Sequence, residues 1–378
     1  LSFLHRYRFF FQVLLPVILG CFLLVLYKDR IRASAEIGLG KRTIAFKPKR
    51  GDFPIHIMNP AYVDTLVQGW KMRGSRHTIL WLGNSQLHGI NLYQKGQQNA
   101  VGMLWDSLQS LNREVVGVSY PNANLQELLA TLLLVSKKLA VKDVLIPLFY
   151  DDLREDGLRT ILQTDELKEI CRTQKAFVSG LTSFEALTAE KTELTPKEQV
   201  SPDFEGIKET TQEKTERFLN TKASAWFNTW EKRADMRGNF FNTLYNVRNR
   251  MMGIDATTIR KMIPGRYRAN LLAFHHILDF CNNKQIRLTV YIPPLRNDAP
   301  IPYESDLYKE FKMELRKECL KTGAHFLDLE KVVPNQYWDR LINAQEGSVN
   351  EQLDYMHFQQ EGHRLVADTI FHHFVSLL

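Results

Sequence analysis

The sequence predicts an α/β fold: a three-layer α/β/α sandwich built on a parallel sheet. Two observations lead there. Short apolar, β-rich runs recur at "HTILWL" (77–82), "EVVGVS" (114–119), "DVLIPLFY" (143–150), "IRLTVYIP" (286–293) and "AHFLDL" (324–329). Between most of them lie segments with apolar residues at helical spacing, such as "AVGMLWDSLQSL" (100–111) and "NLQELLATLLLVSKKL" (124–139). Strands alternating with helices are the pattern of βαβ units, whose crossovers make the strands parallel and cover both faces of the sheet.

The N-terminus reads differently. "FFFQVLLPVILGCFLLVLY", Phe9 to Tyr27, is apolar apart from Gln12 and Pro16. As a helix it would be roughly 28 Å long, close to the hydrocarbon thickness of a bilayer. Aromatic residues stand at both ends, basic residues flank both sides, and no small-x-small cleavage site follows. One uncleaved transmembrane helix is expected. Arg6 and Arg8 precede it, and Lys28, Arg30, Arg32, Lys41 and Arg42 follow it. Taken alone, that bias places the following domain in the cytoplasm, but large domains translocate largely regardless of charge.

The expected organisation is a membrane anchor at 1–32, a membrane-proximal segment at 33–75, and an α/β domain at 76–378 with a helical insertion at 154–265. The insertion is where the strand–helix alternation breaks. Its middle, "AEKTELTPKEQVSPDFEGIKETTQEKTE", is charged and poor in apolar residues, which reads as a surface excursion or a mobile loop. Phe218, Trp226, Phe227, Trp230, Phe240, Phe241, Leu244 and Tyr245 then give helices with aromatic faces. These faces pack on the main domain or meet a partner or membrane surface.

Composition narrows the function classes. The net charge of +7 is a mild excess, and no basic block is interleaved with aromatics, so a nucleic-acid groove is not expected. Cys21, Cys171, Cys281 and Cys319 lie far apart, and no pair has metal-ligand or redox spacing.

Open parallel sheets bind ligands beyond the C-terminal ends of their strands. Ser85 stands there, in "ILWLGNSQLHGIN", just after the first apolar run and near the start of the next helix. It is a candidate nucleophile, with free backbone N–H groups available to a developing oxyanion. It would serve equally as an N-cap. The C-terminal segment "LDYMHFQQEGHRLVADTIFHHF" supplies possible partners, Asp354 and His357, three residues apart. One short loop could present both: His357 as the base toward Ser85, and Asp354 as the carboxylate fixing the imidazole tautomer. A helix beginning near Gly362 would close the domain. A metal site from Asp354, His357 and His363 is a weaker alternative, because further ligands are not evident.

This pattern resembles the SGNH/GDSL hydrolase superfamily. "GNSQLHG" is similar to its first block, usually Gly-Asp-Ser followed four residues later by Gly, and "DYMH" to its last, Asp-x-x-His. The resemblance covers roughly 76–153 and 266–378 and implies a flavodoxin-like sheet. It also implies an oxyanion hole from the Ser85 N–H and from Asn122, which stands in "VGVSYPNANLQE" where the family has a glycine. The third block of the family ends in Asn-Asp, whereas "PLFYDDLREDG" puts Asp151 at the position of the donor Asn. An ionised carboxylate cannot donate. Asp151 is then protonated, or it is structural and pairs with Arg154 or Arg159, or the hole is made of backbone N–H groups alone.

A membrane span before such a domain resembles the anchored members that work beside membrane-bound O-acyltransferases, as in teichoic acid D-alanylation and alginate acetylation. The resemblance implies an extracytoplasmic acyltransferase or esterase acting on a cell-envelope glycan. It also implies an integral-membrane O-acyltransferase partner and no metal or organic cofactor. A non-catalytic scaffold of a membrane complex, with a weakened site, is the alternative of a different class.

Overall fold

The β-rich runs form one parallel sheet in the computed structural model, which describes residues 43–74, 76–188, 258–345 and 348–378. The expected membrane helix at Phe9–Tyr27 and the aromatic residues between Phe218 and Tyr245 lie outside the described residues. Among the described residues, no helix is long and apolar enough to cross a membrane.

Four short strands open the described chain: β1 (Thr43–Ala45), β2 (Lys49–Arg50), β3 (Phe53–Pro54) and β4 (His56–Ile57). Next come α1 (Val63–Met72), β5 (His77–Gly83), the single-turn α2 (Ser85–His88), β6 (Gly89–Asn91) and α3 (Ala100–Leu108). They are followed by β7 (Arg113–Ser119), α4 (Leu125–Lys138), β8 (Val141–Pro147), α5 (Asp165–Thr173) and α6 (Thr182–Thr188). The remainder is α7 (Pro264–Asn283), β9 (Arg287–Ile292), α8 (Ser305–Thr322), β10 (His325–Asp328), β11 (Trp338–Gln345), β12 (Ser348–Phe358) and α9 (Gln360–Ser376).

The main sheet has the order β10-β9-β8-β5-β7-β4, with every neighbouring pair parallel. From β5 onward this is the doubly wound order 2-1-3-4-5, with β4 added at one edge. The chain reverses its direction of growth between β7 and β8, which opens a crevice beyond the C-terminal ends of the central strands. Alternate side chains of β5 feed two cores: Leu80 and Leu82 join the cluster that holds α1, α4, α7 and α8, while Ile79 and Trp81 join the one that holds α3 and α9. These four β5 side chains are fully buried. At about 1.5–3 kcal/mol for each buried large apolar side chain, that double-sided burial is what fixes the strand in the middle layer.

The expected boundary at residue 76 is not where the sheet begins. β4 pairs with β7, and Val63, Leu66, Val67 and Trp70 of α1 lie in the core. Weak periodicity hid this contribution, because the strands before α1 are two or three residues long. The start of the expected insertion is likewise part of the core. Leu162, Leu167, Ile170 and Phe184 pack in the cluster that holds α4 and α7.

A second, four-stranded sheet has the order β1-β6-β12-β11. It joins the segment after Ser85 to the segment carrying Asp354 and His357, since Ile90 of β6 pairs with Phe358 of β12.

Candidate active site

β5 ends at Gly83, and α2 begins two residues later. A Cβ at Gly83 would meet Leu87 Cδ2 at 3.1 Å and Leu87 Cβ at 3.3 Å. The glycine therefore serves the close return of α2 against the strand end. The capping role belongs to Asn84: its Oδ1 accepts the Gln86 N–H at 3.0 Å. Ser85 is left at the first helical position with its Oγ free for another partner. Its own N–H, at the start of the helix, has no intrahelical acceptor.

That partner is His357. Ser85 Oγ lies 3.0 Å from His357 Nε2, and His357 Nδ1 lies 3.1 Å from Asp354 Oδ2. The carboxylate only accepts, so Nδ1 carries the proton and Nε2 presents its lone pair to the Ser85 hydroxyl. Ser85, His357 and Asp354 are 4%, 6% and 2% exposed.

The short loop expected to carry Asp354 and His357 is instead a break in the β11–β12 ladder. Trp338 pairs with Phe358 and Arg340 with Leu353, so the four residues Asp354–His357 stand opposite one residue of β11. Such an irregularity re-aims side chains that a regular strand would send to opposite faces. Asp354 stabilises the turn with its own carboxylate: Oδ1 accepts the N–H groups of Met356 at 2.9 Å and His357 at 3.0 Å. Burial pushes the Asp354 carboxyl up, but the facing His357 and the hydrogen bonds from His357, Met356 and Asn91 outweigh it and hold the group below its ordinary value.

The second glycine of the motif, Gly89, makes room for the imidazole. A Cβ there would come within 2.7 Å of His357 Cδ2 and 2.9 Å of the Ser85 carbonyl oxygen. Behind it lie three further buried histidines. His56 Nε2 and His88 Nδ1 each lie 2.7 Å from Ser119 Oγ, and His363 Nε2 donates to the Gly89 carbonyl at 3.0 Å. Burial lowers all three: His56 to about 3, His363 to about 4, and His88 well below the usual value, with neighbouring histidines adding to the effect. His363 Nδ1 also accepts the Ala100 N–H at 3.3 Å. Both of its ring nitrogens are occupied, which removes it from the metal alternative.

Asp151 is not aimed into an oxyanion site as a free carboxylate. It pairs with Arg260, with Arg154 at 3.4 Å, and accepts from the Tyr303 hydroxyl at 3.3 Å. Arg159, the other expected partner, instead holds Glu127 at 2.7 Å. Asp152 turns inward and accepts from Asn84 Nδ2 at 3.0 Å. Burial, with Asp151 alongside, pushes its carboxyl well above the ordinary value. Asn122 follows β7, is exposed, and has a left-handed backbone with φ +51°, a conformation that Asn tolerates better than most residues.

Asn91, Asn84, Ser119 and the histidines His56 and His88 went unnoticed in the sequence. Asn84, Asn91 and His88 all lie within "GNSQLHGIN", but their partners come from distant segments, and spacing carries no sign of that.

The sequence matches no protein-family model, and no curated protein is significantly similar to it. Among solved structures, a Bacteroides fragilis protein assigned as an acylhydrolase is similar at 10% identity and TM-score 0.37, over 85% of this chain and 99% of that one. An active-site mutant of a family 2 carbohydrate esterase from Clostridium thermocellum is similar at 10% identity and TM-score 0.29, over 79% of this chain and 62% of that one. Likenesses at this level carry no argument about activity, which rests on the residues of the site.

Proposed function

We propose that this chain is a serine-dependent acyl-transfer enzyme, an esterase or O-acyltransferase acting on an acylated cell-envelope glycan. The observation that carries the reading is the ordered chain of hydrogen bonds Ser85–His357–Asp354 at the C-terminal end of β5. In the reaction, Ser85 Oγ bonds to the acyl carbon while His357 Nε2 takes the hydroxyl proton. Collapse of the tetrahedral intermediate breaks the acyl–oxygen bond, and His357 returns the proton to the departing alcohol. Water or a sugar hydroxyl then attacks the acyl-enzyme by the same proton route in reverse. The Ser85 N–H and the Asn122 N–H are the proposed oxyanion donors. Asp151, held by two arginines, does not oppose them as a free negative charge.

The cellular setting is part of the proposal and rests on the sequence. The apolar run Phe9–Tyr27 supports a membrane anchor, and an anchor before such a domain supports an extracytoplasmic site and an integral-membrane O-acyltransferase partner. The test is release or transfer of acetate from an O-acetylated envelope polysaccharide by the purified chain, with Ser85→Ala as the control. Equal turnover by both proteins sinks the proposal.

A second reading is a non-catalytic scaffold. The burial of Ser85, at 4% exposure, favours it, because a glycan ester must reach the hydroxyl. A small activated ester separates the two readings, since it needs no wide entrance.

A further inference from the structure

We infer that Asn91, held in orientation by Thr43, is a positioning residue that fixes the Asp354 carboxylate and through it the His357 ring. The inference rests on the acyl-transfer reading of the same site. Asn91 Nδ2 donates to Asp354 Oδ2 at 3.1 Å and to the His357 carbonyl oxygen at 2.6 Å. Both are acceptors, so the amide cannot be turned over without setting oxygen against oxygen. Thr43 Oγ1 donates to Asn91 Oδ1 and secures the same orientation from the other side. Asn91 and Thr43 are 2% and 7% exposed, so water does not compete for these bonds.

The backbone locks the arrangement. Thr43 and Asn91 are cross-strand partners in the β1–β6 pair. Immediately after Asn91, the chain leaves β6 through Leu92 at φ +52°. A left-handed conformation at a bulky residue is uncommon and persists only where its surroundings impose it. Asp354 Oδ2 thus receives two donors, His357 Nδ1 and Asn91 Nδ2, while Oδ1 receives two backbone N–H groups. Without Asn91, the Oδ2 side of the carboxylate is held by the imidazole alone, so nothing else fixes its tilt toward the ring. The link runs through the strand β1, so the segment that leads into the domain also helps hold the site.

The test uses the full chain and a small activated ester, p-nitrophenyl acetate, for the wild type and for Asn91→Ala, Asn91→Asp, Thr43→Val and Thr43→Ser. A misplaced base lowers turnover more than binding, so Asn91→Ala is expected to lose about 10- to 100-fold in kcat with KM within about threefold. Asn91→Asp replaces Nδ2 by a carboxyl oxygen 3.1 Å from Asp354 Oδ2 and 2.6 Å from the His357 carbonyl oxygen, where the amide had donated to both. Two carboxyl groups that close cannot both stay ionised, so this variant is expected to lose at least as much kcat as Asn91→Ala. Thr43→Val lowers kcat a few-fold, and Thr43→Ser restores it.

A second readout does not need activity: the downfield proton resonance of the His357–Asp354 hydrogen bond. It is expected in the wild type and in Ser85→Ala, and displaced or broadened in Asn91→Ala and Thr43→Val. Should Asn91→Ala fail to fold, Thr43→Val, which keeps the side-chain shape, decides by both readouts. A lower melting temperature with unchanged kcat, KM and resonance overturns the inference. Wild-type turnover that does not depend on Ser85 overturns the acyl-transfer reading instead, and the resonance alone then decides the role of Asn91.

Discussion

Ser85 Oγ and His357 Nε2 lie 3.0 Å apart although 272 residues separate them in the chain. Two sheets bring them together: β5 of the main sheet ends two residues before Ser85, and the four-stranded sheet returns β12 beside β6. Replacing His357 by Ala removes the base. It is expected to lower kcat by about 10³-fold or more on any ester, with Ser85→Ala and the double variant no worse, because the two act as a unit. Additive losses in the double variant would contradict a shared proton path.

Gly89→Ala tests the space around the imidazole. The added methyl meets His357 Cδ2 at 2.7 Å, so the ring must shift. A displacement of about 1 Å is worth roughly 100-fold in rate. The expected outcome is a folded protein with kcat reduced by about that factor, measured beside its melting curve. Full activity would mean that the ring position is not under the constraint described.

Asp151→Asn tests the role of the acidic pair after β8. Asp151 is bound by Arg154 and Arg260, so losing its charge should cost on the order of 1 kcal/mol of stability and leave turnover no higher. If the residue instead stood in for an oxyanion donor, the amide would raise kcat by up to about 100-fold without loss of stability. Urea unfolding and ester turnover on the same sample separate the two.

Stability should fall on the acid side of neutrality. His56 and His363 are lowered to about 3 and about 4, and His88 lies well below its usual value, all chiefly by burial. Unfolded, each would take up a proton near pH 6.5. In that window the unfolded chain binds more protons than the folded one, so stability is fully present above about pH 6.5 and is lost as the pH falls toward 4. His363 alone accounts for something on the order of 3 kcal/mol. The depressed Asp354 adds a further loss below the carboxylate range, while the raised Asp152 acts oppositely and loses stability as pH rises. Urea midpoints at about pH 7 and pH 5 check the sign. A midpoint unchanged between them would show that these histidines are not held neutral by the fold.

The full chain should stay with the membrane fraction until detergent is added, and a form lacking residues 1–32 should not. Recovery of the full chain from a detergent-free soluble fraction would remove the anchor from the proposal.

The central strands were legible because each carries a short apolar, β-rich run, and most segments between them place apolar residues at helical spacing. The contribution of residues 43–74 was not, because strands of two or three residues have no period to read. Ser85, His357 and Asp354 could be singled out because a serine after a strand and an Asp-x-x-His pair are local patterns. Asn91, Ser119 and His88 were invisible for the opposite reason: each matters only through a partner brought up by the fold, at separations of 263, 63 and 31 residues for the pairs Asn91–Asp354, His56–Ser119 and His88–Ser119. Arg260, the close partner of Asp151, lies 109 residues away and was missed in favour of nearer arginines.

The most direct measurement is peptide mass analysis after treating the full chain with a small fluorophosphonate, which bonds preferentially to an activated serine. One phosphonyl adduct on Ser85, absent from His357→Ala and slowed by p-nitrophenyl acetate present in excess during labelling, is the expected result. An unmodified Ser85 in the folded wild-type protein, under conditions that label a control serine esterase to completion, would contradict the nucleophile assignment and favour the scaffold reading.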